Sequence, residues 1–133
     1  MCVCNMFILK KYFAKDAEIM YTKNKGYEYE EIAKRYLLKS DYKILEQNFM
    51  SKFGEIDIIA EKNGIISFIE VKGRINTDFG YPRESVTKSK QKKIISAAKY
   101  YILKKNKEDL LCQFDVIEII LSEKRINYIE NAF

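Results

Sequence analysis

Residues Gly54–Arg74, GEIDIIAEKNGIISFIEVKGR, place two runs of alternating apolar residues on either side of Asn63-Gly64. Asn-Gly is the strongest short hairpin signal, because both central residues of a type I′ turn need positive φ. With that pair at the tip, Lys62 stands opposite Ile65, Asp57 opposite Glu70 and Glu55 opposite Lys72. Residues two apart in a strand share a face, as do directly opposed residues. One face therefore carries Glu55, Asp57, Glu70 and Lys72. The other carries Ile56, Ile58 and Ala60 against Ile65, Ser67, Ile69 and Val71, which reads as a core face. A four-residue loop preserves this pairing, whereas a three-residue loop would put Asp57 and Glu70 on different faces.

Opposed strand positions lie about 4.5–5.5 Å apart, so two carboxylates there repel and one pKa rises unless a cation intervenes. Mg²⁺ needs only one or two carboxylates, completing its shell with water and substrate phosphate oxygens. Such an ion polarises a phosphoryl oxygen and acidifies bound water. Lys72, beside the acids, could hold the attacking water and offset charge on the phosphate. The same four residues also suit a solvated, salt-bridged sheet face, where each pair contributes a few tenths of a kcal/mol.

The chain has 133 residues, enough for one domain with one core. Its 47% hydrophobic and 32% charged residues describe an ordinary globular protein. Twenty-four Lys and Arg against nineteen Asp and Glu give a net charge of +5, which suits a polyanionic partner or simple solvation. There is no histidine. That removes Ser-His-Asp and Cys-His nucleophile schemes and any His-ligated zinc, leaving carboxylates, lysine and metal-bound water for hydrolysis. Cys2, Cys4 and Cys112 are odd in number and lack Cys-x-x-Cys spacing, as expected of free thiols in a cytoplasmic protein. The opening Met1–Lys11 is too short for a membrane span and lacks signal-peptide order, so no membrane partner is expected. Residues 1–24 read as a poorly structured arm before a single domain over 25–133, and Met6 and Met20 are alternative starts.

Helical spacing of Tyr29, Ile32, Ala33, Tyr36 and Leu37 predicts a helix from near Tyr27 to Ser40. Glu30 lies on the rim of that stripe, able to lean towards what the helix packs on or to pair with Lys34 at i+4. A strand over Tyr42–Asn48 precedes the hairpin. A loop holding Arg74, Gly80, Pro82 and Arg83 follows it, long enough for a substrate-contacting flap or a plain connector. A second helix over Lys88–Lys104 has Thr87 as N-cap and a stripe of Ile94, Ile95, Ala98, Tyr101 and Ile102. Lys88, Lys90, Gln91, Lys92 and Lys93 crowd its start, against the helix dipole, which makes sense if phosphate docks there. A solvated lysine-rich face is the alternative. Strands over Cys112–Leu121, buried on both faces, and Arg125–Ile129 complete an α-β-β-β-α-β-β order with a mixed sheet.

The stretches GYEYEEIAKRYL from Gly26, NFMSKFGEIDIIAEKNG from Asn48, FIEVKGR from Phe68, FGYPRESVTKSKQKKIISAAKYYI from Phe79, FDV at Phe114 and the closing IENAF carry a resemblance. The chain resembles the YraN family of bacterial proteins, and through it the PD-(D/E)XK restriction-type nucleases and archaeal Holliday-junction resolvases. The resemblance implies an α/β fold with a restriction-endonuclease-like αβββαβ core, a mixed central sheet flanked by helices. It implies that Asp57 is the first strand acid, that Glu70-Val71-Lys72 is the E-x-K, and that Glu30 is the first-helix acid. Lys90 and Gln91 then match a Lys-Gln that faces phosphates. Ile56 stands where the superfamily's naming proline would be. The function so implied is a Mg²⁺- or Mn²⁺-dependent endonuclease acting on structured or branched DNA in repair or recombination. Asp57, Glu70, the Val71 carbonyl and Glu30 would hold the ion, with Lys72 at the attacking water. Lys88, Lys90, Gln91, Arg74 and Arg83 would grip the backbone. Paired cutting of a junction would need a homodimer. A non-catalytic nucleic-acid-binding module on the same fold is the rival reading, and phosphate contacts alone do not separate DNA from RNA.

Overall fold

A computed structural model describes residues 25–133, so the arm expected over residues 1–24 lies outside the described residues. Helix α1 (Lys25–Lys39) leads into strands β1 (Lys43–Ser51), β2 (Gly54–Lys62) and β3 (Ile65–Arg74). A single 3₁₀ turn (Pro82–Ser85), helix α2 (Lys88–Lys104), and strands β4 (Leu111–Ile120) and β5 (Arg125–Ile129) follow. The order matches the sequence reading, and most boundaries agree within one or two residues. β1 runs three residues further than expected. Arg74, expected in the loop, is the last residue of β3.

Local chemistry accounts for the boundaries. α1 stops where Asp41 takes a left-handed φ of 66° and the Tyr42 N–H donates back to the Leu37 carbonyl. Asn63 and Gly64 have φ of 52° and 76°, as the type I′ turn requires, and Lys62 pairs with Ile65. The Thr87 hydroxyl accepts from the Lys90 N–H and caps α2.

The five strands lie in the order β1-β2-β3-β4-β5, with β3 and β4 parallel and the other pairs antiparallel. α2 is the crossover between the parallel strands, and it covers one face of the sheet while α1 covers the other. Tyr29, Ile32, Ala33, Tyr36 and Leu37 of α1 pack on Ile58, Ala60, Ile69, Val71, Ile117 and Ile119. Ile94, Ala97, Ala98 and Tyr101 of α2 pack on Phe49, Ile56, Ile59, Ile66 and Phe68. Ala97 takes a central place in that stripe, where Ile95 was expected and is only half-buried. Each fully buried Ile or Phe contributes about 1.5–3 kcal/mol, so both faces stabilise the sheet comparably. No helix of the described residues is long and apolar enough to cross a membrane.

The hairpin departs from strict alternation at one point. Ile56, expected beside Ile58 and Ala60, packs instead with Phe49 and Ile59 beneath α2. The β1–β2 register skips the Asn48/Asp57 position, and Asn48 has a φ of 50°. The register is the same on both sides of that position, Gln47–Ile58 and Phe49–Ile56, yet Ile58 packs beneath α1 while Ile56 and its partner Phe49 pack beneath α2. The acid-bearing face is also not a solvated one: Ile59, Ile66 and Phe68 are fully buried there, leaving only the end of the sheet to the acids.

Candidate functional site

That end of the sheet is a cleft of about 340 Å³ lined by Gly26, Tyr29, Glu30, Asp57, Glu70, Val71, Lys72, Gly73 and Lys90. The first turns of both helices open onto it, and their positive dipole ends favour carboxylates and phosphates. The β2–β3 ladder stops at Ile58–Ile69, so Asp57 and Glu70 are not a ladder pair. Instead the Asp57 carboxylate takes the place of a strand partner and accepts from the Val71 N–H at 2.8 Å. The expected Glu55–Lys72 pair does not form. Glu55 pairs with Met50 of β1, while Lys72 stands opposite Glu118 of β4.

Electrostatics concentrate on three acids. Burial pushes the Asp57 carboxyl up to about 7, helped by the negative charges of Glu70 and Glu30 and opposed by the Val71 amide and the Lys90 ammonium. Glu30 is also raised, first by burial and then by Glu55, Glu70 and Glu31, against a hydrogen bond from Asn48. Glu70 is almost wholly buried, and its Oε1 receives Lys72 Nζ at 3.3 Å and Lys90 Nζ at 3.5 Å. Its Oε2 is buried with no hydrogen-bond partner. A buried carboxylate oxygen without a donor is costly, and a hard cation beside Asp57 would supply what it lacks. Among the described residues, no group of three or more Cys, Asp or Glu side chains converges to hold an ion by itself. The donor set is thus two carboxylates with a nearby backbone carbonyl, suited to an ion that keeps several waters, as Mg²⁺ does.

The cleft gathers Glu30, Asp57, Glu70, Val71, Lys72 and Lys90 of the residues singled out in the sequence. Four others lie outside its lining. Arg74 Nη1 donates to the Phe79 carbonyl at 3.0 Å, and Gln91 Nε2 donates to the Val86 carbonyl at 3.2 Å. Lys88 is exposed on the first turn of α2. Arg83 donates from both its backbone N–H and its Nε to Glu118 Oε2, each at 3.0 Å, and its guanidinium lies over the Tyr81 ring.

Three contributors escaped the sequence reading. Tyr29 packs against Gly73 so closely that a Cβ built on Gly73 would overlap its ring. This contact holds the N-terminal part of α1, with Glu30, against the strand that carries Glu70 and Lys72. The signal was a glycine directly after the E-x-K lysine. Asn48, the second, was hidden by its left-handed backbone. Glu118, the third, is fully buried and fixes the loop through Arg83 and β5 through Asn127 Nδ2 at 2.9 Å. An acid inside a strand buried on both faces must have such partners, and that was its signal.

Comparison with known proteins bears on the whole of this domain. The sequence model described as "Uncharacterised protein family UPF0102" matches residues 29–119. A UPF0102 protein of Clostridioides difficile (strain 630) is 54% identical over 114 residues, covering 86% of this chain and 100% of the relative. One from Clostridium perfringens is 48% identical over 117 residues, covering 85% and 96% respectively. One from Persephonella marina is 46% identical over 114 residues, covering 86% and 97%. With a family match across most of the domain and relatives matched over nearly their full length, the chain belongs to the UPF0102 family, the YraN family of the sequence reading.

Proposed function

We propose that the chain is a Mg²⁺- or Mn²⁺-dependent endonuclease that hydrolyses phosphodiester bonds in structured or branched DNA. One observation carries the reading: Glu70 Oε2 is buried without a donor, next to an aspartate whose carboxyl is pushed up to about 7. Asp57 and Glu70 would hold the ion, with the Val71 carbonyl and Glu30 as further donors, Glu30 directly or through water. A bound ion of this kind supplies Lewis-acid polarisation of the phosphate and a more acidic water. The chain's own residues do the rest. Lys72, whose Nζ is 3.3 Å from Glu70 Oε1, positions the attacking water and offsets charge as the phosphorus becomes five-coordinate. Lys90, on the first turn of α2 with its Nζ 3.5 Å from Glu70 Oε1, would hold a phosphate oxygen at the helix's positive end. The water oxygen bonds to phosphorus and gives up a proton to bulk solvent, the opposite P–O bond breaks, and the leaving oxygen takes a proton. With no histidine in the chain, a solvent water or the lysine ammonium must supply it.

The test is cleavage of nicked, flapped and four-way DNA by pure protein with Mg²⁺ or Mn²⁺. Cutting is expected from the wild type and a loss of at least about a hundredfold in Asp57→Ala, since the ion is the main source of charge stabilisation. No cutting of any substrate, or cutting that survives Asp57→Ala, overturns the reading.

A second reading has its own support. Lys72 and Lys90 already bring two positive charges to Glu70, so a binding module could balance these acids without an ion. It expects affinity for DNA that falls steeply with salt and needs neither divalent ion nor Glu70.

A further inference from the structure

At the far end of α2 from the acids, a groove of about 470 Å³ is lined by Met50, Ser51, Lys52, Tyr100 and Lys104. The apolar side chains around it are unusually open: Met50 is 68% exposed, Phe53 43% and Tyr100 39%. Isolated exposed apolar residues need no explanation, but a contiguous set rimmed by charge marks a binding surface. Here the charge is of one sign. Lys52 Nζ lies 5.2 Å from the Phe53 ring centroid, and Lys104 Nζ lies 5.9 Å from that of Tyr100. The two rings are 6.1 Å apart, and Tyr100 is braced by stacking on the buried Phe49. α2 contributes six lysines (Lys88, Lys90, Lys92, Lys93, Lys99 and Lys104) and no acid. Acidic neighbours are Glu55, opposite Met50 in the ladder, and Glu46 and Glu61, which act on the buried Tyr101. None of the groove residues is acidic.

We propose that Phe53 and Tyr100, flanked by Lys52 and Lys104, form a stacking platform for unpaired nucleotides of the DNA whose phosphates reach the acidic cleft. The proposal rests on the nuclease reading for its substrate and deepens it. Aromatic faces interleaved with lysines are the chemistry that binds single strands without sequence preference: bases stack on the rings and ammonium groups follow the backbone. In the free protein the lysines lie close to those rings. An arriving base takes their place, and the ammonium groups move outward to the phosphates. A second copy of the chain fits less well, because a two-fold contact through this patch would set Lys52 and Lys104 among their own duplicates. Lys90 and Tyr100 are ten residues apart on one helix, about 15 Å along its axis. The platform therefore receives nucleotides only a few positions from the bond at the acids, as in a flap, a gapped duplex or an open branch point.

The chain has no tryptophan, so Phe53→Trp and Tyr100→Trp each give a single tryptophan, excited selectively over the tyrosines, with the aromatic surface retained. Titrating the full chain with oligo(dT), without divalent ion, is expected to quench either tryptophan. In anisotropy measurements with the same oligonucleotide, Phe53→Ala is expected to weaken binding about tenfold while blunt-duplex affinity changes little. Tyr100→Trp, which keeps the contact with Phe49, is expected to bind at least as tightly as wild type. Unquenched tryptophans together with unchanged oligo(dT) affinity in Phe53→Ala overturn the proposal. So does a patch variant whose only effect is on sedimentation, which would assign the surface to self-association. Tighter binding of oligo(U) than oligo(dT) overturns the assignment to DNA. Quenching by oligo(dT) in a protein that cuts none of the branched DNAs supports the platform and overturns the nuclease reading, so the two failures are distinguishable.

Discussion

The Val71 N–H donates to Asp57 Oδ2 at 2.8 Å, where a continued ladder would have set Asp57 against Glu70. A side chain has replaced a backbone partner where the β2–β3 ladder stops. The splay opens the cleft, and the hydrogen bond fixes the rotamer of the carboxylate that faces it.

That carboxylate is kept in the fold at a cost that depends on pH. Its folded-state pKa of about 7 lies above the ordinary aspartate value of about 3.9, so the native state binds the extra proton between those values. Stability linked to Asp57 is full below the lower value and is lost as pH rises through about 7. Asp57→Asn is therefore expected to flatten this dependence, and at pH 8 to be more stable than wild type by about 1–3 kcal/mol. Urea denaturation at pH 5 and pH 8 measures it. A variant less stable than wild type at both would show that the Val71 contact outweighs the charge.

Divalent ion should reverse the penalty. An ion that binds only the folded chain stabilises it by about 2.7 kcal/mol at a hundred times its dissociation constant. Thermal unfolding of the wild type is expected to shift upward with Mg²⁺ or Mn²⁺ and fall back on chelation. Asp57→Asn and Glu70→Gln should show no shift. Equal shifts in all three proteins would assign the ion to another part of the surface.

Gly73 should tolerate no side chain. A methyl group there would meet the Tyr29 ring, and α1 or β3 must move to admit it. Overpacking of this kind costs about 1–3 kcal/mol, and here it also displaces Glu30 from Glu70. Gly73→Ala is expected to lose stability together with cation response. The pair Gly73→Ala/Tyr29→Ala should recover part of the response, and its absence in the double variant would detach Glu30 from ion binding.

Arg83 anchors the loop between β3 and α2. Arg83→Ala leaves the fully buried Glu118 with one donor fewer on Oε2, at a cost of about 1–3 kcal/mol. Because the Arg83 side chain is about half exposed, solvent screening sets the lower end of that range. Denaturant unfolding reads it, and hydrogen exchange should locate the loosening at residues 76–87. An unchanged midpoint would mean that the backbone N–H of Arg83 alone suffices.

Much of this was legible in the chain. Asn63-Gly64 set the hairpin register, Thr87 the start of α2, and the apolar residues at both alternating sets of positions in β4 its burial on both faces. Asp57, Glu70, Lys72 and Glu30 were singled out and do share one cleft. What could not be read is what depends on other segments. Ile56 and Ile58 lie on opposite faces across the unpaired Asn48/Asp57 position, a break in alternation that strand periodicity does not encode. The engagement of Arg83 with Glu118 spans thirty-five positions and follows from burial, which only the closed sheet creates.

The central strand β3 has β2 on one edge and β4 on the other, and β4 comes after the crossover helix. During synthesis, the strand bearing Glu70 and Lys72 is left half-paired until residues 111–120 have emerged. Long-range parallel pairing closes late. The acids of the hairpin and the lysine of α2 therefore reach their final places only after all of them have left the ribosome, when β4 docks on β3 and completes the sheet beneath them.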